Sequence, residues 1–167
     1  MPGKRIRKPI DKEAKRLYDQ KRRRDPEIVK TNRMLAQKRY IDPMGRAKNL
    51  CANAKKRARI RGKEFDISVA HIHVILMIGR CQKTGLPFDL TPANNTMTKP
   101  FAPSIDRIDN DNGYVTNNVQ IVCNMFNSGK NEHHEIDFIA MCVAVADRYR
   151  DDPIVIARLA ELRNAGI

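Results

Sequence analysis

The sequence predicts an α+β fold, with a small hairpin-and-helix core packed on helices and a basic helical extension at its front. Three observations lead there. Ser104 to Asp109 alternates like a strand and Asn118 to Cys123 reads as a second one, on either side of the dense turn signal Asn110-Asp111-Asn112-Gly113. Helix-forming runs with recognisable start and stop residues lie on both sides of that hairpin. Charge is also divided unevenly: residues 1–64 hold 23 Lys+Arg against 7 Asp+Glu, a net of +16, while the remaining residues carry a net of −3.

Taken in order, residues 1–10 read as disordered. Asp11 to Arg24 has good helix formers without Gly or Pro, and Asp25-Pro26 stops it. Glu27 to Tyr40 reads as a second helix with Ile28, Met34 and Leu35 as sparse apolar positions, and Asp42-Pro43 is the next break. Both helices have little to bury and are marginal alone in water, so contact with a polyanion is expected to order them. Met44 to Arg61 forms a third helix with Leu50, Cys51, Ala54 and Ala58 at three-to-four spacing, ended by Gly62. Ser68 caps a short helix, Val69 to Met77, closed by Gly79. Cys81 to Phe88 is a turn-rich approach to a strand, and a Pro, Asn and Thr loop follows from Thr91 to Pro103. After the hairpin, Asn124 to Lys130 turns into a helix. Ile136 to Tyr149 is another, with Phe138, Ile139, Val143 and Ala146 inward, and Ile154 to Arg163 is the last. The predicted organisation is an extension over 1–64 and a compact domain over 65–167 with its core at 103–130.

Composition narrows the function. The net charge of +13, concentrated in the first 64 residues, suits phosphate backbones bound through counterion release. Arg22, Arg23 and Arg24, then Lys55, Lys56, Arg57, Arg59 and Arg61, are the candidate contacts on helices, and they hold DNA without reading bases. No apolar run approaches the ~20 residues of a membrane span, and no secretory signal follows the first Met. Cys51, Cys81, Cys123 and Cys142 are widely spaced, which suggests reduced thiols in a cytoplasmic setting.

Chemistry concentrates between Pro103 and Lys130. A hairpin backed by a helix can bring Asp106 and Asn127 together although they lie far apart in sequence. One carboxylate and one amide oxygen are hard ligands suited to Mg²⁺ or Mn²⁺, with positions left open for water and a phosphodiester.

This series resembles the HNH, or ββα-metal, endonuclease family. Asp106-Arg107-Ile108-Asp109 stands where many members have Asp-His-Ile-Asp, and Gly113-Tyr114, Asn118-Val119, Val122-Cys123, Asn127 and Lys130 fall at matching intervals. Lys56 to Ala58, Gly62, Phe65-Asp66 and Cys81 to Phe88 are similar to the branch common in bacteriophage genomes, so the resemblance spans about residues 47–142. It implies a metal-dependent nuclease acting on double-stranded DNA, in a phage or mobile-element setting such as homing. Asp106 and Asn127 become metal ligands, Asn118 braces the loop through side-chain to backbone bonds, and Lys130 joins the DNA-contacting residues.

Two departures matter. Arg107 replaces the histidine that normally activates water, and a guanidinium cannot act as a general base. Its charge suits holding the scissile phosphate and stabilising the transition state, with a plain backbone-phosphate clamp or a salt bridge to Asp109 as alternatives. The base is then solvent hydroxide or one of Tyr114, His133, His134 and His73, which no position singles out. The Cys-x-x-Cys pairs of zinc-containing relatives are half missing, with Thr84 and Phe126 at the matching offsets from Cys81 and Cys123, so structural zinc is not expected. The rival functions are a nucleic-acid-binding protein that keeps the scaffold without cutting, and a basic RNA-associated protein. Oligomeric state is not written in these residues.

Overall fold

The computed structural model describes residues 11–91 and 99–165. The described residues fall into two compact units divided between Gln37 and Lys38. The expected disorder of residues 1–10 and most of the loop from Thr91 to Pro103 lie outside the described residues.

The first unit holds helix α1 (Lys12–Arg24) and most of α2 (Pro26–Ile41). Asp11 Oδ1 accepts from the Glu13 and Ala14 amides, and Asp25 Oδ1 accepts from those of Glu27 and Ile28. Asp25-Pro26 therefore ends one helix and begins the next, since proline suits the first helical position and aspartate caps it. Arg22 and Arg24 are exposed; the Arg23 side chain lies outside the described residues.

In the second unit, α3 (Pro43–Arg61) starts on the same device, with Asp42 accepting from Met44 N and Gly45 N, and ends on Gly62 at φ 62°. Its buried Ala47, Ala54 and Ala58 form a small-residue face that packs on α4 (Val69–Ile78), against Ile72, Ile75 and Leu76. This packing corrects the sequence boundary at 64/65: α3 belongs to the second unit, because its alanine face is part of that core. Strand β1 (Phe65–Asp66) pairs in parallel with β3 (Tyr114–Val115), a two-residue ladder the sequence did not suggest. Gly113 makes it possible, because a Cβ there would meet the Glu64 carbonyl oxygen at 2.5 Å.

Strands β2 (Pro103–Arg107) and β4 (Val119–Cys123) form the expected antiparallel hairpin, with Asp106 opposite Gln120 and Arg107 opposite Val119. Helix α5 (Asn124–Lys130) follows β4 directly, its first amides bonded to the Ala102 and Pro100 carbonyls at 2.8 Å each. It packs on the hairpin and on α6 (Glu135–Arg148), where Phe126 and Phe138 meet edge to face at 5.1 Å. Only part of the expected inward face of α6 is covered: Phe138 and Ile139 are half-buried, but Val143 and Ala146 are exposed. Helix α7 (Pro153–Asn164) begins on a third Asp-Pro cap, at Asp152. Among the described residues no helix is long and apolar enough to cross a membrane.

Candidate active site

Strand β2, the loop after it and α5 shape a cavity of about 270 Å³, closed on another side by α3. Asp106 and Asn127 both line it, together with Arg57, Arg61, Tyr114 and Glu132. The hairpin and its helix thus bring together the two oxygen-bearing side chains singled out in the sequence.

Asp106 is 3% exposed, and both of its carboxylate oxygens are engaged. Oδ2 accepts from Gln120 Nε2 at 2.8 Å, and Oδ1 lies 3.3 Å from the Lys130 ammonium. Burial pushes the Asp106 carboxyl above its ordinary range; the Gln120 amide and Lys130 ammonium pull against it, and the Glu135 carboxylate adds to the rise. Gln120 Nε2 also donates to Glu135, which in turn pairs with Lys83 at 2.6 Å. A buried polar chain therefore ties the start of α6 to the aspartate. The sequence reading missed Gln120 and Glu135. The available signal was the polar Gln120 inside the apolar run Val119 to Val122, which the hairpin register places opposite Asp106.

Lys130 overturns one expectation. Its side chain is 0% exposed, and Nζ donates to the Arg107 carbonyl at 2.9 Å besides pairing with Asp106. A lysine so enclosed cannot reach a DNA phosphate. It serves the interior by balancing a buried carboxylate that would otherwise be strongly penalised.

Asn127 is oriented by two acceptors, its Nδ2 donating to Ser104 Oγ at 2.7 Å and to the Ile105 carbonyl at 3.1 Å. A carbonyl can only accept, which fixes the amide's orientation and leaves Oδ1 as the group offered to the cavity. Asn118 closes the loop between the strands: Nδ2 donates to the Asp109 and Gly113 carbonyls at 2.9 Å each, and Oδ1 accepts from Asp109 N at 3.0 Å.

Arg107 lines the cavity, but its guanidinium is occupied. Nη1 donates to the carbonyls of Asn110 and Asn112 at 2.8 and 3.1 Å, and Nη2 donates to Asn110 Oδ1 at 3.3 Å. This geometry makes it a brace for the loop rather than a free hand for phosphate. Its guanidinium carbon also lies 5.3 Å from the Tyr114 ring centre, and that of Arg57 lies 5.7 Å from the same ring.

Of the candidate bases, Tyr114 lines the cavity, whereas His73, His133 and His134 are not among its lining residues. Glu132, at its rim, is a carboxylate the sequence reading passed over; it follows Asn131, whose backbone turns at φ 47°. Lys55, Lys56, Arg59 and Arg61 are exposed on α3, and Arg57 is half-buried.

As for metals, the described residues hold no group of three or more His, Cys, Asp or Glu side chains placed to bind an ion. The cavity instead offers Asp106 and Asn127 as hard oxygen donors, with Glu132 as a second carboxylate at its rim, a set that fits a divalent ion completed by water and phosphate. Cys81 and Cys123 are both buried, and Cys123 N donates to Cys81 Sγ at 3.3 Å. The Cys123 thiol beside it, working against burial, holds the Cys81 thiol down to about 5, and the same contact pushes Cys123 up.

No protein-family model matches the sequence, and no curated protein matches it. Among solved structures, the rare-cutting HNH restriction endonuclease PacI is similar at 17% identity and a TM-score of 0.47, over 62% of this chain and 79% of that one.

Proposed function

We propose that this chain is a divalent-metal-dependent endonuclease that hydrolyses phosphodiester bonds in double-stranded DNA. The observation that carries the reading is the cavity in which Asp106 and Asn127 stand beside two arginines of α3. Asp106 and Asn127 Oδ1 would hold Mg²⁺ or Mn²⁺, which when bound would polarise the phosphate and stabilise the leaving oxygen.

The protein's own part is positioning. Lys130 and Gln120 hold the Asp106 carboxylate, Ser104 and the Ile105 carbonyl hold Asn127, and Asn118 with Arg107 shapes the loop beside them. Lys130 already neutralises Asp106, so the charge of a bound ion has to be balanced chiefly by the phosphates of the substrate. Affinity for the ion should accordingly rise when DNA is present. Glu132 is the cavity carboxylate outside the proposed metal pair that is able to take a proton from water. The basic residues of 1–64 supply sequence-independent grip on the duplex, and the motif's resemblance to the phage branch suggests a phage or mobile-element nuclease.

The test is a supercoiled plasmid incubated with Mg²⁺ or Mn²⁺, with and without chelator. Metal-dependent nicking by the wild type, lost in Asp106→Ala with DNA binding retained, is the expected result; an unchanged cutting rate refutes the assignment. Asp106→Ala strands the buried Lys130 ammonium, so Asp106→Asn, which keeps an oxygen at the site, is run beside it. The lack of a histidine among the lining residues favours a second reading, a nucleic-acid-binding protein that keeps the scaffold without cutting. Retardation of DNA without nicking would establish that reading.

A further inference from the structure

The basic face of α3 is not uniform. Arg57 and Arg61 are four residues apart, share one side of the helix and line the cavity that contains Asp106 and Asn127. Lys55, Lys56 and Arg59 are exposed and are not among its lining residues, and the Lys55 ammonium lies 5.8 Å from the Phe65 ring centre.

Arg57 has a further peculiarity. Its Nε is buried and has no hydrogen-bond partner among the described residues. A buried charged donor left without an acceptor is costly, and an anion brought to this guanidinium would offset that cost. The other cations at this place are committed: Arg107 donates to the loop carbonyls, and Lys130 is shared between Asp106 and the Arg107 carbonyl. Arg57 also lies against the Tyr114 ring, as Arg107 does, which sets its guanidinium beside the loop that closes the cavity.

We infer that Arg57 and Arg61 form the clamp for the scissile phosphate, a role distinct from the general grip of the neighbouring lysines and Arg59. The inference rests on the proposed nuclease reading and deepens it, by naming the groups that meet the reacting phosphodiester. A guanidinium fork matches two non-bridging phosphate oxygens, which a lysine ammonium does not. Inside a partly enclosed cavity the same charge stabilises the transition state more than it would in water. On this view α3 is built into the core because it carries part of the reacting site.

Two experiments test this. In the first, cleavage kinetics and metal-free duplex binding are measured for Arg57→Met, Arg61→Met, Arg57→Lys, Lys55→Met and Arg59→Met. The methionine variants at 57 and 61 should lose about 100-fold in kcat, the order found for a single transition-state donor, with duplex Kd within about threefold. Arg57→Lys should fall between, since it keeps charge but not the fork. Lys55→Met and Arg59→Met should instead raise KM and flatten the salt dependence of binding by about one unit of slope. In the second, inorganic phosphate is titrated into metal-free wild type while the arginine Nε–H signals are followed by NMR. The Arg57 signal should shift saturably, and the shift should persist in Lys55→Met. A kcat within about threefold of wild type in Arg57→Met and Arg61→Met, or an Arg57 signal indifferent to phosphate, overturns the clamp. Should wild type fail to cut with either metal, the nuclease reading falls, and the phosphate titration alone decides whether Arg57 is an anion site. Should Arg57→Met fail to fold, Arg57→Lys and the wild-type titration decide.

Discussion

Lys130→Met removes a single charge from the interior while nearly preserving the shape of the side chain. In the wild type the ammonium is fully enclosed, 3.3 Å from Asp106 Oδ1 and 2.9 Å from the Arg107 carbonyl. The variant leaves the Asp106 carboxylate buried with Gln120 as its remaining donor. Breaking a buried pair by deleting one partner costs about 3–5 kcal/mol, a large share of the roughly 5–15 kcal/mol that holds a domain folded. With a urea dependence of ~1–3 kcal/mol per molar, the unfolding midpoint should drop by on the order of 2 M. The loss should also depend on pH. Asp106 already has a folded pKa above its unfolded value, and without Lys130 it rises further. Such a group penalises folding when ionised and stops doing so once protonated, so the deficit of Lys130→Met should be full at neutral pH. It should shrink as pH falls through the raised value. Adding Asp106→Asn to Lys130→Met removes the stranded charge and should recover most of the loss, because a buried pair replaced by neutral groups is often tolerated. Urea titrations of the wild type, both single variants and the double variant at neutral and acidic pH measure all of this. A Lys130→Met deficit below about 1 kcal/mol at neutral pH, or a double variant no more stable than Lys130→Met, would refute the reasoning.

Asn118→Ala deletes three hydrogen bonds that hold the loop from Asp109 to Gly113. It should cost about 1–3 kcal/mol by thermal unfolding and leave a folded protein whose cleavage kcat is lowered roughly 10- to 100-fold; wild-type cleavage would show that the loop does not position the site. Gly113→Ala forces a Cβ to within 2.5 Å of the Glu64 carbonyl oxygen, so calorimetry should show a loss of about 1–3 kcal/mol from separation of β1 and β3. A wild-type melting temperature in that variant would mean that the parallel pairing is not needed for stability.

Local chemistry explains which parts of the fold were legible in the sequence. Asp11, Asp25, Asp42 and Asp152 each cap the helix that follows them, and a cap needs only its own neighbours to act. The hairpin was likewise readable, since two strand-like runs on either side of a turn-rich loop fold back on each other, although their register came only with the structure. The ladder of β1 with β3 was not: two residues per strand carry no periodicity, and the partners lie about fifty positions apart.

What the sequence determined by itself was the α+β class, the helix starts and the concentration of positive charge in the first 64 residues. It also brought out the pairing of Asp106 with Asn127 as residues of interest, because spacing along a hairpin and its helix limits where they can meet. Only the tertiary structure decided what each cation does. Lys130, Arg107, Arg57 and Lys55 are alike as basic letters, yet one balances a buried carboxylate, one braces a loop, one lines a cavity and one lies exposed beside an aromatic ring. The physical reason is that a charge acquires its role from the dielectric and partners around it, and those come from segments brought together only when the chain folds.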